Sequence, residues 1–275
     1  ELPADPGESE QGCYLYGITS REVAFRLAAN LTMDGSEPLV LVEQDKLAAV
    51  TRSVLRAEFS SETLQARAQD LAWLETMVRE HNRVIEQIHQ LGPVLPGKFG
   101  AVYPNSEALQ NALAEAHDVL LAQLGRVQNC DEWGIHLYAD RQAVQRLAGE
   151  HPALQQLQND LAAASPGRAY LLKRKLADAM TDITEEALSV LALTSYNRLA
   201  AYAVAGQMSP RPPQPADSAS EREALRAAFL VQRGARDDFL QEIERLVQAQ
   251  EGLRCEYSGP WPPYSFASID GEGRQ

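Results

Sequence analysis

Cysteine is scarce in this 275-residue chain: Cys13, Cys130 and Cys255 lie far apart, and none belongs to a Cys-x-x-Cys pair. An odd number cannot all pair internally, so neither a disulfide framework nor a zinc ribbon organises the fold, and a reducing cytoplasm is the expected compartment. Positive charge is also short. Lys and Arg number 25 against 38 Asp and Glu, a net charge of −13. That balance counts against nucleic acid as the main partner and against adhesion to anionic membranes. Long apolar runs are missing too: Leu191–Val204 is interrupted by Asn197 and Arg198. It falls short of the ~18 residues that span a bilayer, so no membrane insertion is expected. There is no Gly-x-Ser-x-Gly elbow and no Walker loop. Leu95-Pro-Gly-Lys-Phe-Gly100 sets a lysine among glycines without the spacing or the Ser/Thr of a phosphate loop.

The residue types that carry chemistry do not cluster. His81 falls on an apolar helical stripe and His89 lies eight residues later, whereas paired helical metal ligands sit three or four apart. A structural histidine bonding across to a neighbouring strand is the expectation for His81. His136 alternates within a strand, and His117 and His151 stand alone. Each cysteine lies at or beside a predicted strand, where a small buried hydrophobe is its usual role. A hydrolase or transferase built on one of these thiols would need a base and an oxyanion hole beside it, and no such motif accompanies any of them. No catalytic, metal or cofactor residues are therefore expected. Lys173-Arg174-Lys175 is the local exception to the acidic balance. Successive helical residues turn by about 100°, so these three fan around the helix as solvated charges, or as a docking site for an acidic partner.

Residues 1–12 read as an acidic tail carrying Glu1, Asp5, Glu8 and Glu10. Cys13–Thr19 is aromatic and β-branched and predicts a strand. Ser20 caps a short helix over Glu22–Asn30. Leu39–Val42 and Leu47–Val54 predict a hairpin. A long helix opens at Ser60 or Ser61 and runs to Gly92-Pro93, with Leu64, Leu71, Leu74, Val78, His81, Ile85 and Ile88 as its stripe. Val94–Tyr103 is extended with its own breakers, Ser106–Gly125 is helical, and Trp133–Tyr138 closes this half as a strand. The second half predicts helices over Arg141–Gly149, Pro152–Ala164 and Arg168–Ala205, the last with Leu172, Leu176, Ala179, Ile183 and Val190 on one face. Residues 208–220 hold four of the fifteen prolines and read as a linker. Strand Leu225–Val231, helix Ala235–Gln250 and strand Leu253–Tyr257 follow. The expected fold is α+β: two domains, 13–140 and 141–275, with ferredoxin-like features and long helices packed on and between small antiparallel sheets.

Six segments together resemble the gas vesicle protein F/L family, GvpF/GvpL. They are Tyr14-Leu-Tyr-Gly-Ile18, Val94-Leu-Pro-Gly-Lys-Phe-Gly-Ala-Val-Tyr103, Glu132-Trp-Gly-Ile-His-Leu137, Pro166-Gly-Arg-Ala-Tyr-Leu-Leu-Lys-Arg-Lys175, Phe229-Leu-Val231 and Gly259-Pro-Trp-Pro-Pro-Tyr-Ser-Phe266. They occur in order across nearly the whole chain, and the last is the most specific. Two positions depart from the pattern. Lys98 stands where an arginine is expected, and lacks its bidentate fork; His136 stands where a lysine is expected, and is mostly neutral at pH 7.

The resemblance implies a non-enzymatic accessory or minor structural protein of gas vesicle formation, cytoplasmic and vesicle-associated. Its implied partners are the small apolar shell protein GvpA and other accessory proteins. A shell subunit that assembles into a sheet exposes apolar surface and strand edges, and an acidic partner covering them keeps the complex dispersed. The candidate contact residues are Lys98 and Phe99, Lys173, Arg174 and Lys175, and Trp261 and Tyr264. The aromatic pair also has a structural reading, locking the terminus onto the core. The alternative function is a ferredoxin-like small-molecule-binding or regulatory module unrelated to gas vesicles.

Overall fold

The structure, a computed structural model, describes residues 11–31, 38–67, 69–149, 151–210 and 221–267. The chain sorts into two compact units, residues 1–131 with 261–275, and residues 132–260.

The first unit starts with β1, Gln11–Ser20, so Gln11 and Gly12 belong to the sheet rather than to the acidic tail. Residues 1–10 of that tail lie outside the described residues. Helix α1 is Arg21–Leu31, opened by the Ser20 hydroxyl accepting from the Val23 amide. The predicted hairpin is present as β2, Val40–Gln44, and β3, Leu47–Leu55, paired antiparallel. The predicted long helix is broken in two. Helix α2, Ser61–Arg67, is capped by Ser60, and α3, Leu71–Leu91, is capped by Asp70, whose carboxylate accepts from the Trp73 amide at 3.1 Å. The reason is local: an Asp whose side chain satisfies an orphan helix donor starts a new helix more readily than it continues an old one. The predicted stripe is buried only at its C-terminal end, through His81, Ile85 and Ile88, and Leu71 is 75% exposed. The Leu64 side chain lies outside the described residues. Short strands β4, Val94–Pro96, and β5, Val102–Tyr103, follow. The helix expected over Ser106–Gly125 divides at Ala116 into α4, Ser106–Glu115, and α5, His117–Val127.

The first sheet has the order β2-β3-β1-β4, with β5 also on β1, and β1 pairs antiparallel to β3, β4 and β5. Alternation along β1 sets Tyr14 and Tyr16 on one face, in the cluster formed with Val23 and Leu27 of α1 and Val84, Ile85 and Ile88 of α3, and a bulge between Leu15 and Gly17 then shifts the phase so that Ile18 leaves that face. Leu15 and Ile18 are equally buried but lie outside that cluster. Helices α4 and α5, which pack on β1, β2 and β4, bury Leu109, Leu113, Leu120 and Leu124 against the other face. Both faces of β1 are thus covered, which is why it reads as an unbroken apolar run.

The second unit is built on β6, Cys130–Asp140, which contains the predicted strand Trp133–Tyr138 and pairs in the second sheet. Helices α6, Arg141–Gly149, α7, Pro152–Ala162, and α8, Pro166–Ala200, follow. Then come β7, Ala205–Met208, β8, Glu221–Gln232, α9, Arg236–Gln248, and β9, Leu253–Trp261. Met208 belongs to β7 and so not to a linker, and residues 211–220 of the predicted linker lie outside the described residues. Sheet order is β7-β8-β6-β9. Numbered within each unit, both sheets therefore run second, third, first, fourth, the ferredoxin-like order, with three helices in the second unit where the first has only α1.

Helix α8 ends at Ala200, five residues short of the prediction, and its 35 residues span roughly 52 Å. Its buried stripe changes phase. Ile183, with Leu176 and Ala179, packs with Leu154 of α7. Leu188, Leu191, Ala192 and Leu199 then face the sheet with Trp133, Ile135 and Leu137 of β6, Phe229 of β8, and Phe239 and Ile243 of α9. Val190, predicted on the first stripe, is 59% exposed because the helix changes partner after Ile183.

Candidate interaction site

The sequence-marked loop after α3 is held by a buried polar network. His81, on the third turn of α3, is 4% exposed, and its Nε2 lies 3.1 Å from the Gly97 carbonyl. A carbonyl only accepts, so Nε2 carries the proton and Nδ1 accepts from the Tyr14 hydroxyl at 2.9 Å. That hydroxyl in turn accepts from the Gly100 amide. Burial pushes His81 below the ordinary imidazole range and Tyr14 up to about 12, so both are neutral. Beside them Tyr16 donates to Glu80 Oε1 at 2.9 Å, and Arg52 donates to the same oxygen at 2.6 Å.

Two glycines let the loop sit this close. A Cβ on Gly97 would stand 2.7 Å from the Leu15 carbonyl oxygen, and Gly100 has φ +82, the left-handed region that favours glycine. Between them Lys98 is exposed, and Phe99 is 38% exposed with its ring edge-on to His81 at 5.7 Å. The next residue of α3, Asn82, accepts from the Tyr264 hydroxyl at 3.3 Å. Tyr264 is 40% exposed and Trp261 43%, between and beside the buried Pro262, Pro263 and Ala267. One stretch of α3 therefore anchors both the Lys98–Phe99 loop and the Tyr264 turn. The prediction of a bond from His81 across to a strand holds through Tyr14.

Lys173, Arg174 and Lys175 lie in the second unit, exposed on α8 beside buried Leu172. Exposed Tyr170 and Leu171 precede them, so that surface is apolar as well as basic. Further along α8, Ile183, Val190 and Leu191 line an open groove of about 450 Å³ with His151 and Gln250.

Sequence reading missed a second polar cluster, on the side of the second sheet away from its core. His136 Nδ1 lies 2.8 Å from Glu223 Oε1, and Arg226 binds both Glu223 oxygens at 3.1 and 3.0 Å. Burial pushes the Glu223 carboxyl up, but these hydrogen bonds outweigh it and hold it below the ordinary carboxylate range. Arg254 stacks on Tyr138 at 4.4 Å and binds Glu221 and Glu256. The alternation of His136 and Tyr138 was the only local hint of it, since 87 residues separate His136 from Glu223. His117, read as isolated, lies between Asp45 and Asp118 at 3.1 and 3.0 Å. Among the described residues no group of three His, Cys, Asp or Glu side chains is placed to hold a metal ion. Cys13 and Cys255 are free thiols that burial pushes upward, Cys255 to about 11, which suppresses the thiolate a nucleophile needs.

The fold and its marked residues define an α+β protein of two ferredoxin-ordered sheets, with exposed aromatic and basic side chains held on buried supports. Its fold is shared with known proteins. The crystal structure of gas vesicle protein GvpF from Anabaena sp. PCC7120 superposes with a TM-score of 0.66 at 20% identity, covering 94% of this chain and 99% of that one. Gas vesicle protein L of Streptomyces sp. (strain CB03234) is 30% identical over 86% of this chain and 85% of its own length. Gas vesicle protein F of the same organism is 27% identical over 92% and 98%. The family model described as "Gas vesicle synthesis protein GvpL/GvpF" matches residues 12–268. This chain belongs to the GvpL/GvpF family of gas vesicle synthesis proteins.

Proposed function

We propose that this chain acts in the cytoplasm as an accessory protein of gas vesicle formation, binding the apolar shell protein GvpA and other accessory proteins to support nucleation and limit aggregation. Family membership over residues 12–268 is the observation that carries this reading. It also overturns the alternative of a module unrelated to gas vesicles. The finer claim of shell-protein contact is supported by chemistry. Phe99, Trp261 and Tyr264 offer aromatic surface on backbone held by buried groups, which lowers the entropy cost of binding. The net charge of −13 keeps a complex with an apolar partner dispersed.

The test is sedimentation of the shell protein with and without this chain, alongside pull-down of the pair. The expected result is binding and a larger soluble fraction. Phe99→Ala and Trp261→Ala should each keep the far-UV circular dichroism and weaken binding about ten-fold or more, as central aromatic contacts do. No binding and no change in shell-protein sedimentation overturns the proposal.

A further inference from the structure

Of the sheet edges, β9 is the one built to take another strand. Edge strand β2 has five residues and lies under α4, whose Gln110 donates to the Glu43 carbonyl. β4 and β7 have three and four residues. β9 has nine, and among the described residues β6 is its only strand neighbour. It runs antiparallel to β6: the Gly252 carbonyl accepts from Asp140 at one end, and Gly259 lies against Glu132 and Trp133 at the other. Antiparallel ladders alternate, so even-numbered backbone groups of β9 point at β6 and those of Cys255 and Tyr257 point outward. Side chains alternate too. Leu253 and Cys255 join the core and Tyr257 lies 6.2 Å from Trp133, while Arg254 and Glu256 occupy the polar face. Tyr257 is 54% exposed.

We infer that β9 pairs with β9 of a second copy of this chain, antiparallel about a two-fold axis at Cys255, joining two four-stranded sheets into one of eight strands. Charge selects the partner and the register. With Cys255 opposite its own copy, Arg254 faces the other Glu256, Glu256 faces the other Arg254, and exposed Tyr257 meets Leu253. Moving the axis by one residue sets Arg254 against Arg254 or Glu256 against Glu256, and like charges directly opposite destabilise a ladder. Leu253 is the first residue of β9 and meets Tyr257 of the other copy, so the new ladder covers residues 253–257. The contact is isologous and closes as a dimer rather than growing into a filament.

The experiment is sedimentation equilibrium of the full chain over a concentration series, with hydrogen exchange on the same samples. The wild type should move from 30.3 kDa toward twice that mass, and exchange at the Cys255 and Tyr257 amides should slow in step. Glu256→Arg places like charges opposite each other twice and should weaken the dimer about ten-fold or more. Mixing it with Arg254→Glu restores opposite charges at both contacts and should recover a heterodimer. If Arg254→Glu does not fold, Glu256→Arg and the exchange data still decide. A 30.3 kDa species up to the solubility limit overturns the inference, whether the edge stays empty or takes a strand of another protein. So does a dimer that ignores Glu256→Arg, or one in which the two amides exchange at the monomer rate.

Discussion

β1 and β6 hold the same place in two sheets of the same strand order, yet they are used differently. β1 is covered on both sides, by α1 and α3 on one and by α4 and α5 on the other, and its polar groups are sealed inside. β6 sends Trp133, Ile135, Leu137 and Ala139 into its core and leaves His136 and Tyr138 on a face of ion pairs. Topology is thus shared while solvation is not. The second face of such a sheet becomes core or working surface according to whether two extra helices are spent covering it.

The contrast can be broken most forcefully in β1. Tyr14→Ala and Leu15→Ala, on opposite faces, should each cost about 3–5 kcal/mol in urea unfolding, because both side chains are sealed. Leu137→Ala should cost about as much, whereas its neighbour Tyr138→Ala should cost far less, on the order of 1 kcal/mol. Equal costs at positions 137 and 138 would show that both faces of β6 are core after all.

Acid should sharpen the difference. His81 has a folded-state value below the ordinary imidazole value near 6.5, so its contribution is present above that pH and is lost as pH falls toward the lowered value. Glu223 is likewise lowered, but from 4.5, so the support it gives the second unit is present above 4.5 and is lost only in stronger acid. Hydrogen exchange followed from pH 7 downward should therefore loosen the first unit before the second, and His81→Asn should flatten the earlier step. At neutral pH, Glu223→Ala removes an acceptor that satisfies both His136 and Arg226 and should cost roughly 1–2 kcal/mol. Tyr264→Phe should have the smallest effect, below about 1 kcal/mol in Tm-derived stability, since its bond to Asn82 is long and solvent-exposed.

Strands were legible wherever β-branched and aromatic residues ran together, and the caps at Ser20 and Ser60 announced their helices. In the first unit the ferredoxin-like pattern was legible because strands and helices alternate at the right lengths; in the second it was incomplete, because β7, Ala-Gly-Gln-Met, lacks the β-branched and aromatic residues that mark a strand. The break before α3 was not, because a seven-residue rhythm continues from Leu64 to Leu71 across it and only the Asp70 side chain marks the new start. The phase change in α8 was hidden similarly: a helix that changes partner midway has two stripes, and extending the first carries Val190 into solvent. Lys98, Phe99 and Tyr264 were identifiable as motif residues, but their shared support on α3 was not, because 182 residues separate Asn82 from Tyr264.

The return of residues 261–267 to the first unit has a consequence for the order in which the molecule is made. On the ribosome, all five strands of the first sheet emerge early, but the turn that rests on Asn82 is translated only after residues 132–260. The unit begun first is therefore the unit finished last. A nascent chain released anywhere within 132–260 carries the whole first sheet and none of the buried Pro262, Pro263 and Ala267 that fasten its final segment.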